Sequence, residues 1–461
     1  DVLHRDILNH LFSNYSLTKS SKEWKIQLKY RWDDENKDIL IQQEDSVFHY
    51  GFEFLACHQR IVITMVTIPI FISLTNALYM KYGGSCYGPY GSGKTETIKE
   101  LSKSFAVYCV NFNCSETIMA HQLSAMLRGI VQSGTWIILS DFCRVKPEVL
   151  SIIGEDFNSI RSASLANLKK FDMDGYEIQL NQQCGIFMTS SYEKFEQLAD
   201  STRVYFRPVA MKAINYVAII EIQLMSQGFS ETHKYALKLA SFIRACRDQF
   251  IHNNNYCFGM NTVTSILSIT MALKHSESQM SDDQIIVSAI KNVCLKTIDR
   301  NDIYHFKEIL SSYFIDTKEE YVADPNFVQS LTETCSVLGF QLSPYLIERA
   351  EQFHESLGMY MGVIIVGETC VGKSTLIEML EQTYYALSEV NELYFPIDKS
   401  LICPKTMTNS ELWGYYNTDS NSWKEGIIEK VFSETQKVQH REQWIIFDGN
   451  IDPSWVENMN S

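Results

Sequence analysis

"GPYGSGKT", residues 88–95, is the stretch that decides the fold, because it satisfies the pattern G-x-x-x-x-G-K-[S/T] of a phosphate-binding loop. Glycines let such a loop curl until successive backbone N–H groups point at phosphate oxygens. Lys94 is predicted to reach the β- and γ-phosphates of a nucleotide, and Thr95 to offer its hydroxyl to Mg²⁺. The predicted nucleotide-binding residues are Gly88, Pro89, Tyr90, Gly91, Ser92, Gly93, Lys94 and Thr95.

A second stretch, "GETCVGKS" at residues 367–374, satisfies the same pattern. Lys373 takes the phosphate role here, and Ser374 offers the hydroxyl to Mg²⁺. A chance glycine-rich turn is the alternative explanation for either stretch, but two matches between strand-like and helix-like sequence argue against it. The predicted nucleotide-binding residues of this loop are Gly367, Glu368, Thr369, Cys370, Val371, Gly372, Lys373 and Ser374.

Short apolar runs alternate with amphipathic stretches around the first loop. The runs at 106–114, 135–141 and 184–191 are predicted to be buried strands, and strands separated by helices indicate a parallel sheet. Residues 231–320 have apolar positions at helical spacing, and a strand–loop–helix pattern starts again at residue 361. The sequence therefore predicts an α/β fold with two tandem P-loop modules, each a parallel sheet with flanking helices, and a helical subdomain.

Two segments before the first loop need separate interpretation. Residues 1–45 are polar and helix-like, and the charge run "DDENKD" at 33–38 is predicted to be a solvated turn. Residues 61–80 carry no charge and are long enough to span a membrane. Their threonines, Pro69 and Asn76, and their direct continuation into a nucleotide loop, favour instead a buried segment followed by a helix.

The composition excludes several classes of protein. The net charge of −15 disfavours a nucleic acid partner, because phosphate binding needs clustered Lys and Arg. The 12 cysteines are scattered, without a CxxC pair or metal-ligand spacing, and indicate small core hydrophobes of a reduced, intracellular protein. The first residues, "DVLHRDILNHLF", do not resemble a secretory signal, and no membrane partner is expected.

The strand ends after each loop carry the candidate catalytic residues. The apolar run at 136–139 ends in Ser140 and Asp141, where an ATPase normally has one Asp for the metal and one Glu for the water. One carboxylate therefore stands where two are expected, and hydrolysis at the first loop is in question. The strand-like stretch "QWIIFDGNID", 443–452, ends in Asp448, which can order Mg²⁺ through water, but Gly449 supplies no base.

Several further stretches make the chain resemble a dynein heavy chain, of the axonemal type, over essentially its whole length. That resemblance implies four parts: the end of the linker (1–58), the large (59–230) and small helical (231–325) subdomains of a first AAA+ module, and an incomplete second large subdomain (326–461). The stretches that carry it are "WKIQLKYRW" (24–32), "YGFEFL" (50–55), "VNFNCSE" (110–116), "SIRSASLANLKKFDMDGYEIQL" (159–180), "FRPVAM" (206–211), "YCFGM" (256–260), "CPKTMTNSELWG" (403–414) and the segment 443–461.

The family's catalytic positions are matched unevenly. The resemblance places an Asp-Glu pair on Ser140 and Asp141, a sensing Asn on Ser191, and an Arg on Asn261. Arg207 matches, but that arginine faces the site of a neighbouring module. Three positions that read or attack the γ-phosphate have therefore changed together, which predicts weak or absent hydrolysis.

A second alignment of the strand end gives the same outcome. It puts Asp141 in the metal role and leaves Phe142 where a base is needed. Two readings of function stay open: a motor ATPase with slow turnover, and a nucleotide-binding structural or regulatory module that does not hydrolyse ATP. A DNA-directed AAA+ ATPase is disfavoured by the acidic charge.

The resemblance also implies cofactors, partners and a location. The cofactors are ATP, ADP and Mg²⁺, with the adenine near the apolar residues 61–65. The partners are the remaining AAA+ modules of a heavy chain, dynein intermediate and light chains, and microtubules only through segments outside this sequence. The location is cytoplasm, cytoskeleton and cilium axoneme. The second module stops at Ser461, so we expect a fragment or short product of something longer.

Overall fold

The structure is a computed structural model. It describes residues 8, 12–13, 21–56, 61–64, 67–89, 91–116, 118–191, 195, 198, 200–212, 215–250, 256, 258–276, 280–299, 301–314, 325–341, 343–391, 394–417, 422–437, 440–456 and 459. The chain divides into two compact units, residues 1–267 with 457–461 and residues 268–456, and each is treated by itself.

The first unit alternates helices and strands as the sequence predicts. Its helices are α1 Lys22–Lys25, α2 Thr67–Tyr79, α3 Lys94–Phe105, α4 Ala120–Ser133, α5 Pro147–Leu165, α6 Asp200–Arg203, α7 Tyr216–Ser226, α8 Thr232–Gln249 and the first part of α9 Met260–Ser276. Its strands are β1 Lys29–Asp33, β2 Asp38–Gln43, β3 Ser46–His49, β4 Gly83–Tyr87, β5 Cys109–Asn113, β6 Trp136–Ser140, β7 Lys170–Met173, β8 Tyr176–Gln179, β9 Gly185–Ser190 and β10 Phe206–Ala210.

Five strands form a parallel sheet in the order β10-β4-β9-β6-β5. The three predicted strands at 106–114, 135–141 and 184–191 are confirmed as β5, β6 and β9. β6 and β9 are buried along their whole length. Such continuous apolar strands are typical of a parallel sheet that is covered on both faces.

Helices cover both faces, and alternate residues of β6 divide between two cores. Ile137 and Leu139 pack in a cluster with residues of α4 and α5. Trp136 and Ile138 pack in a second cluster with residues of α2 and α3. This period of two fixes the strand's register, because a shift by one residue would exchange the two faces.

The N-terminal segment corrects one prediction. Residues 29–49 are not helical: β1, β2 and β3 form a three-stranded antiparallel sheet, and the charged turn at 34–37 joins the first two strands. Aromatic and β-branched side chains favour strands, and Ile41 on β2 is fully buried in the cluster shared with α2 and α3. The charge run is a turn, as predicted.

The uncharged segment at 61–80 contains α2, which begins at Thr67 and is buried on one face through Ile70, Phe71 and Leu74. Among the described residues, no helix is long and apolar enough to cross a membrane.

The second unit is helical before its phosphate loop and mixed after it. Its elements are α10 Asp282–Cys294, α11 Ile303–Tyr313, α12 Pro325–Leu338, α13 Pro344–Met359, α14 Lys373–Ser388, β11 Ile397–Ile402, α15 Asn409–Trp413, β12 Gly414–Asn417, β13 Ser422–Glu425, α16 Ile427–Thr435, β14 Glu442–Phe447 and α17 Pro453–Val456. β11 and β14 form a parallel pair, and β14 confirms the predicted strand before Asp448. The apolar run that starts at residue 361, predicted to form a strand before the second loop, forms none in the described structure, and Ile364 and Val366 are exposed there.

The contact between β4 and α2 yields a stability prediction. A Cβ at Gly84 would lie 2.6 Å from Leu74 Cδ2 and 2.9 Å from Phe187 Cδ1. We expect Gly84→Ala to destabilise the first unit by about 1–3 kcal/mol, because this core has no space for a methyl group. Thermal unfolding midpoints measure the effect.

Gly129→Ala in α4 is the matched control, because a Cβ there meets nothing within 4 Å. It should be neutral or stabilising by about 0.5–1 kcal/mol, since Ala favours a helix over Gly. Equal midpoints for the two variants would show that Gly84 does not mark a tight contact.

Candidate functional site

The parallel sheet brings the predicted residues of the first site to one edge. β4 lies between β9 and β10, with Tyr87 opposite Ser190, and β6 pairs with β9, with Ser140 opposite Thr189. Gly88, Asp141 and Ser191 each follow directly on one of these strand ends. Ligands of open α/β sheets bind outside the carboxyl ends of the strands.

Two glycines give the first loop its curl. Gly91 and Gly93 have φ of +73° and +74°, a left-handed conformation that glycine adopts without steric cost. A Cβ at Gly88 would lie 2.9 Å from the Met211 carbonyl oxygen, so the loop passes close to the end of β10. The Ser92 hydroxyl donates to the Pro89 carbonyl at 2.8 Å. Tyr90 lies outside the described residues.

Lys94 is the first residue of α3, and its ammonium group turns back over the loop. Nζ donates to the carbonyl oxygens of Gly88 at 3.1 Å and Pro89 at 2.9 Å. Burial lowers the pKa of Lys94, and the nearby Asp141 carboxylate and Cys86 thiol oppose that shift. Burial raises the pKa of the Cys86 thiol to about 12, so that thiol stays neutral. Asp141 thus supplies the negative charge that favours the ammonium form of Lys94.

Asp141 stands in a conformation that few residue types accept. Its φ is +52°, and its carbonyl accepts the Arg144 N–H at 2.9 Å to start the 3₁₀ turn Phe142–Arg144. Asp and Asn tolerate this left-handed region better than Glu does. Phe142 is fully buried and packs on Phe157 and Phe206, so its side chain belongs to the core and not to the site.

Ser140 is buried, and its hydroxyl is already engaged. Oγ donates to Asn111 Oδ1 at 2.7 Å, across from β6 to β5. A serine hydroxyl has one proton, so only its lone pairs remain to accept from a water or ligand. Sequence reasoning missed Asn111 as a site residue, although two polar residues, Asn111 and Asn113, interrupt an otherwise apolar strand and are the signal that could have found it.

The end of β9 contributes a second residue that the sequence did not single out. Ser190 is buried, and among the described residues its hydroxyl has no hydrogen-bond partner. Its carbonyl accepts the Gly88 N–H at 3.3 Å, so it lies directly beside the loop. Ser191 is half-buried, and its carbonyl accepts the Phe195 N–H at 3.1 Å.

The remaining predicted residues lie at different distances from the loop. Thr95 is half-buried in the first turn of α3. The Met260 backbone nitrogen lies 3.9 Å from the position of a Cβ at Gly91, so the first turn of α9, with the exposed Asn261, adjoins the loop. Arg207 is exposed and pairs with Gly84, towards the other end of the sheet, and the structure does not bring it to the loop.

The segment predicted to lie near the adenine is described for residues 61–64, and residue 65 lies outside the described part. Ile63 packs against the cluster between α2 and α3, and the Ile61 N–H donates to Glu100 Oε2 at 3.4 Å.

The second loop shares the lysine geometry of the first. Lys373 begins α14, and its Nζ donates to the carbonyls of Gly367 at 2.9 Å and Glu368 at 2.6 Å. Gly372 and Cys370 have φ of +90° and +65°. The other predicted residues, Thr369, Val371 and Ser374, are exposed.

Asp448 follows β14 and is exposed. Its N–H donates to the Ile402 carbonyl at 2.9 Å, which extends the β11–β14 pairing by one residue.

The donor set fits a phosphate better than a bare metal ion. Within the described ranges, no group of three or more His, Cys, Asp or Glu residues could hold a metal. A divalent cation at either loop would therefore depend on phosphate oxygens and water beside a hydroxyl and one carboxylate, as Mg²⁺ commonly does.

Comparison with known proteins agrees with this geometry. Residues 50–374 match the family model described as "Hydrolytic ATP binding site of dynein motor region". The chain is 32% identical to Dynein axonemal heavy chain 6 of Homo sapiens over 470 residues, which covers 100% of this chain and 11% of that protein. It is 31% identical to Dynein axonemal heavy chain 2 of Mus musculus over 465 residues, covering 100% of this chain and 10% of that protein.

A third relative comes from an alga. The chain is 32% identical over 450 residues to the Dynein-1-alpha heavy chain, flagellar inner arm I1 complex, of Chlamydomonas reinhardtii, covering 95% of this chain and 10% of that protein. The chain thus spans about a tenth of the length of these relatives. The phosphate loop, the parallel sheet and the match over most of the chain lead to one conclusion: the chain belongs to the dynein heavy chain family, within its ATP-binding motor region.

Proposed function

We propose that this chain is an ATP-binding part of an axonemal dynein motor, with ATP–Mg²⁺ bound at both phosphate loops and impaired hydrolysis at the first. The observation that carries the proposal is the single carboxylate at the first site: Asp141 acts on Lys94, while the neighbouring position holds the neutral Ser140. ATP binding needs the loop and its lysine, and both are present. Hydrolysis needs carboxylates at the strand end, and one of the expected two is missing.

Binding at the first loop is supported by its backbone and its lysine. Lys94 already interacts with two loop carbonyls and would exchange them for the more strongly accepting β- and γ-phosphate oxygens. Mg²⁺, when bound with the nucleotide, neutralises phosphate charge. Thr95 would hold it through its hydroxyl, and Asp141 would add the local negative charge.

Slow hydrolysis follows from four side chains that act on the same transition state. Asp is one methylene shorter than Glu, a deficit of roughly 1.5 Å, and a misplacement near 1 Å costs about a hundredfold in rate. Ser140 brings no charge, and its proton is bonded to Asn111. Ser191 is shorter than an Asn amide, and Asn261 does not stabilise phosphate charge as an Arg would.

Asp141 serves either as the base or as the metal-ordering carboxylate in this proposal. Phe142 is buried in the core, so the second assignment leaves the site without a base. Both assignments give slow turnover. The alternative function is a nucleotide-binding structural or regulatory module of a ciliary dynein complex that does not hydrolyse ATP at all.

The second loop is proposed to hold ATP as a structural ligand. Lys373 and Ser374 would contact the phosphates and Mg²⁺, and Asp448 would order the metal through water. Gly449 follows Asp448 and supplies no carboxylate to activate a nucleophilic water.

The relatives' names support a location in the axoneme of a cilium, within the cytoskeleton of the cytoplasm. The proposed partners are the other AAA+ modules of a heavy chain and dynein intermediate and light chains, and microtubules through other parts of a heavy chain. We also propose the division into a linker end (1–58), a first large subdomain (59–230), a small helical subdomain (231–325) and a second large subdomain (326–461).

Removal of the first lysine tests binding. In a Lys373→Ala background, Lys94→Ala should lower the affinity for a non-hydrolysable ATP analogue by about 10- to 100-fold, the effect of losing a charge-assisted contact. Titration calorimetry measures it. Lys99→Ala, on the same helix and paired with Glu96, is the matched control and should change little. Unchanged affinity after Lys94→Ala would refute the assignment.

Nucleotide content tests the second loop. With Lys94→Ala weakening the first site, the complete heavy chain is incubated with ATP, desalted and denatured, and its nucleotide is separated by chromatography. We expect ATP to predominate, because Asp448 has no neighbouring base. If the recovered nucleotide is mostly ADP, and this ADP is absent from the Lys373→Ala variant, the proposal is contradicted.

Combined repair tests the first site. Ser140→Asp, Asp141→Glu, Ser191→Asn and Asn261→Arg are made together in the complete heavy chain, because groups that act on one transition state are not additive. We expect steady-state ATP turnover to rise by about tenfold or more. Adding Lys94→Ala should abolish the gain. If the unmodified chain already turns over ATP as fast as the repaired chain, with kinetics that depend on Lys94, then Ser140 and Asp141 form a working variant of the catalytic pair.

A further inference from the structure

A cavity lies at the opposite end of the parallel sheet from the phosphate loop. Its volume is about 250 Å³, and its walls include Trp136, Ile186 and Tyr205 at the amino ends of β6, β9 and β10. β4 runs from Gly83 to the loop, so roughly 13 Å of strand separates the two ends at 3.3 Å per residue. The cavity is therefore distinct from the nucleotide site.

Two cations line this cavity. Lys81 follows α2 and is half-buried, and this burial lowers its pKa. The Arg161 guanidinium carbon lies 3.8 Å from the centroid of the Tyr82 ring. Arg161 Nε is buried, and within the described residues it has no hydrogen-bond acceptor.

No carboxylate lines the cavity in the part of the chain that the structure describes. Two other titratable groups that face it are held neutral: burial raises the pKa of Cys184 to about 11 and also raises that of Tyr205. His49 is held at 2.6 Å by Asp38. Two half-buried cations without a counter-charge are costly in a folded protein, since buried charges are normally paired.

Most of the remaining wall is apolar and much of it aromatic, and Ser164, Gln182 and Gln183 also line it. It includes Phe48 on β3, Tyr79 at the end of α2, and Phe105 at the end of α3. Trp136 donates its indole N–H to the Gln183 carbonyl at 3.1 Å, so that ring is fixed in place. A concave space with mostly apolar walls and a few charged groups is typical of a ligand site.

We propose that this cavity binds a small organic carboxylate with a flat apolar body. The carboxylate pairs with Lys81 and Arg161, because a guanidinium fork and an ammonium group are the strongest partners for such an anion. The apolar body packs against Phe48 and Tyr79, aromatic wall residues that are not fully buried. β3 belongs to the antiparallel sheet and Arg161 to α5, so the ligand would join the N-terminal sheet to the base of the parallel sheet.

The test uses a matched pair of probes on the intact heavy chain. 2-Naphthoate and its neutral isostere 2-naphthamide are titrated separately and followed by saturation-transfer NMR. We expect the naphthoate to bind at least about tenfold more tightly, the value of one charge-assisted contact. Equal binding of the two probes, or no binding of the naphthoate, would overturn the proposal.

Variants locate the site. Lys81→Gln and Arg161→Gln should each weaken naphthoate binding by about tenfold. Lys169→Gln, which removes an exposed cation outside the cavity, should not. Equal affinities for all three variants would place the probe elsewhere.

A measurement on the unmodified protein covers the case in which a variant fails to fold. The naphthoate should protect Lys81, but not Lys169, from acetylation by acetic anhydride, as read by peptide mass spectrometry. Lack of selective protection of Lys81 at a saturating probe concentration counts against the cavity as the site.

Discussion

The proposed chemistry of the first site depends on one constraint, the register of the five-stranded parallel sheet. β6 and β9 are buried on both faces, so a slip by one residue would move apolar side chains between two separately packed cores. With the register fixed, the residues that follow β4, β6 and β9 must share an edge. The packing of the two cores on the faces of the sheet thus positions the site. Its polar residues are not part of that packing and can change without loss of the fold.

The electrostatics at that edge centre on Lys94 and the Asp141 carboxylate. Lys94 is half-buried, and burial alone would favour its neutral form; two loop carbonyls and the Asp141 carboxylate stabilise the ammonium. A second carboxylate at position 140 would sit on a buried strand beside Asn111, where ionisation is costly without a metal. Ser140 instead donates its neutral hydroxyl to Asn111 Oδ1. A serine at position 140 therefore avoids the cost of a buried carboxylate, and under the proposed function it also leaves the site with less charge for catalysis.

The features that the sequence predicted correctly are those with a signal within one short stretch of chain. β6 and β9 follow from continuous apolar runs, and both loops follow from glycines at fixed spacing. The sheet at 29–49 was missed because its polar, charge-rich sequence hides the alternation that buries Ile41. The Ser140–Asn111 contact joins residues 29 positions apart, and the cavity draws its walls from many segments. The cavity has no local signal, because it arises only when strands and helices pack. The two asparagines mark β5 as unusual, but the partner of Asn111 is set by the pairing of β5 with β6.

A comparison of the two loops distinguishes features that depend on the loop sequence alone from features that depend on the packing of distant strands. Lys373 contacts the carbonyls of the first two residues of its loop just as Lys94 does, although residues 362–368 before it form no paired strand. The lysine geometry is therefore a property of the loop and the first helical turn alone. The groups proposed to attack or sense a phosphate follow other strands instead, β6 and β9. Under the proposed function, phosphate binding would therefore tolerate changes at those strand ends that hydrolysis would not, so that the chain keeps two loops with this lysine geometry while catalysis at the first is weak.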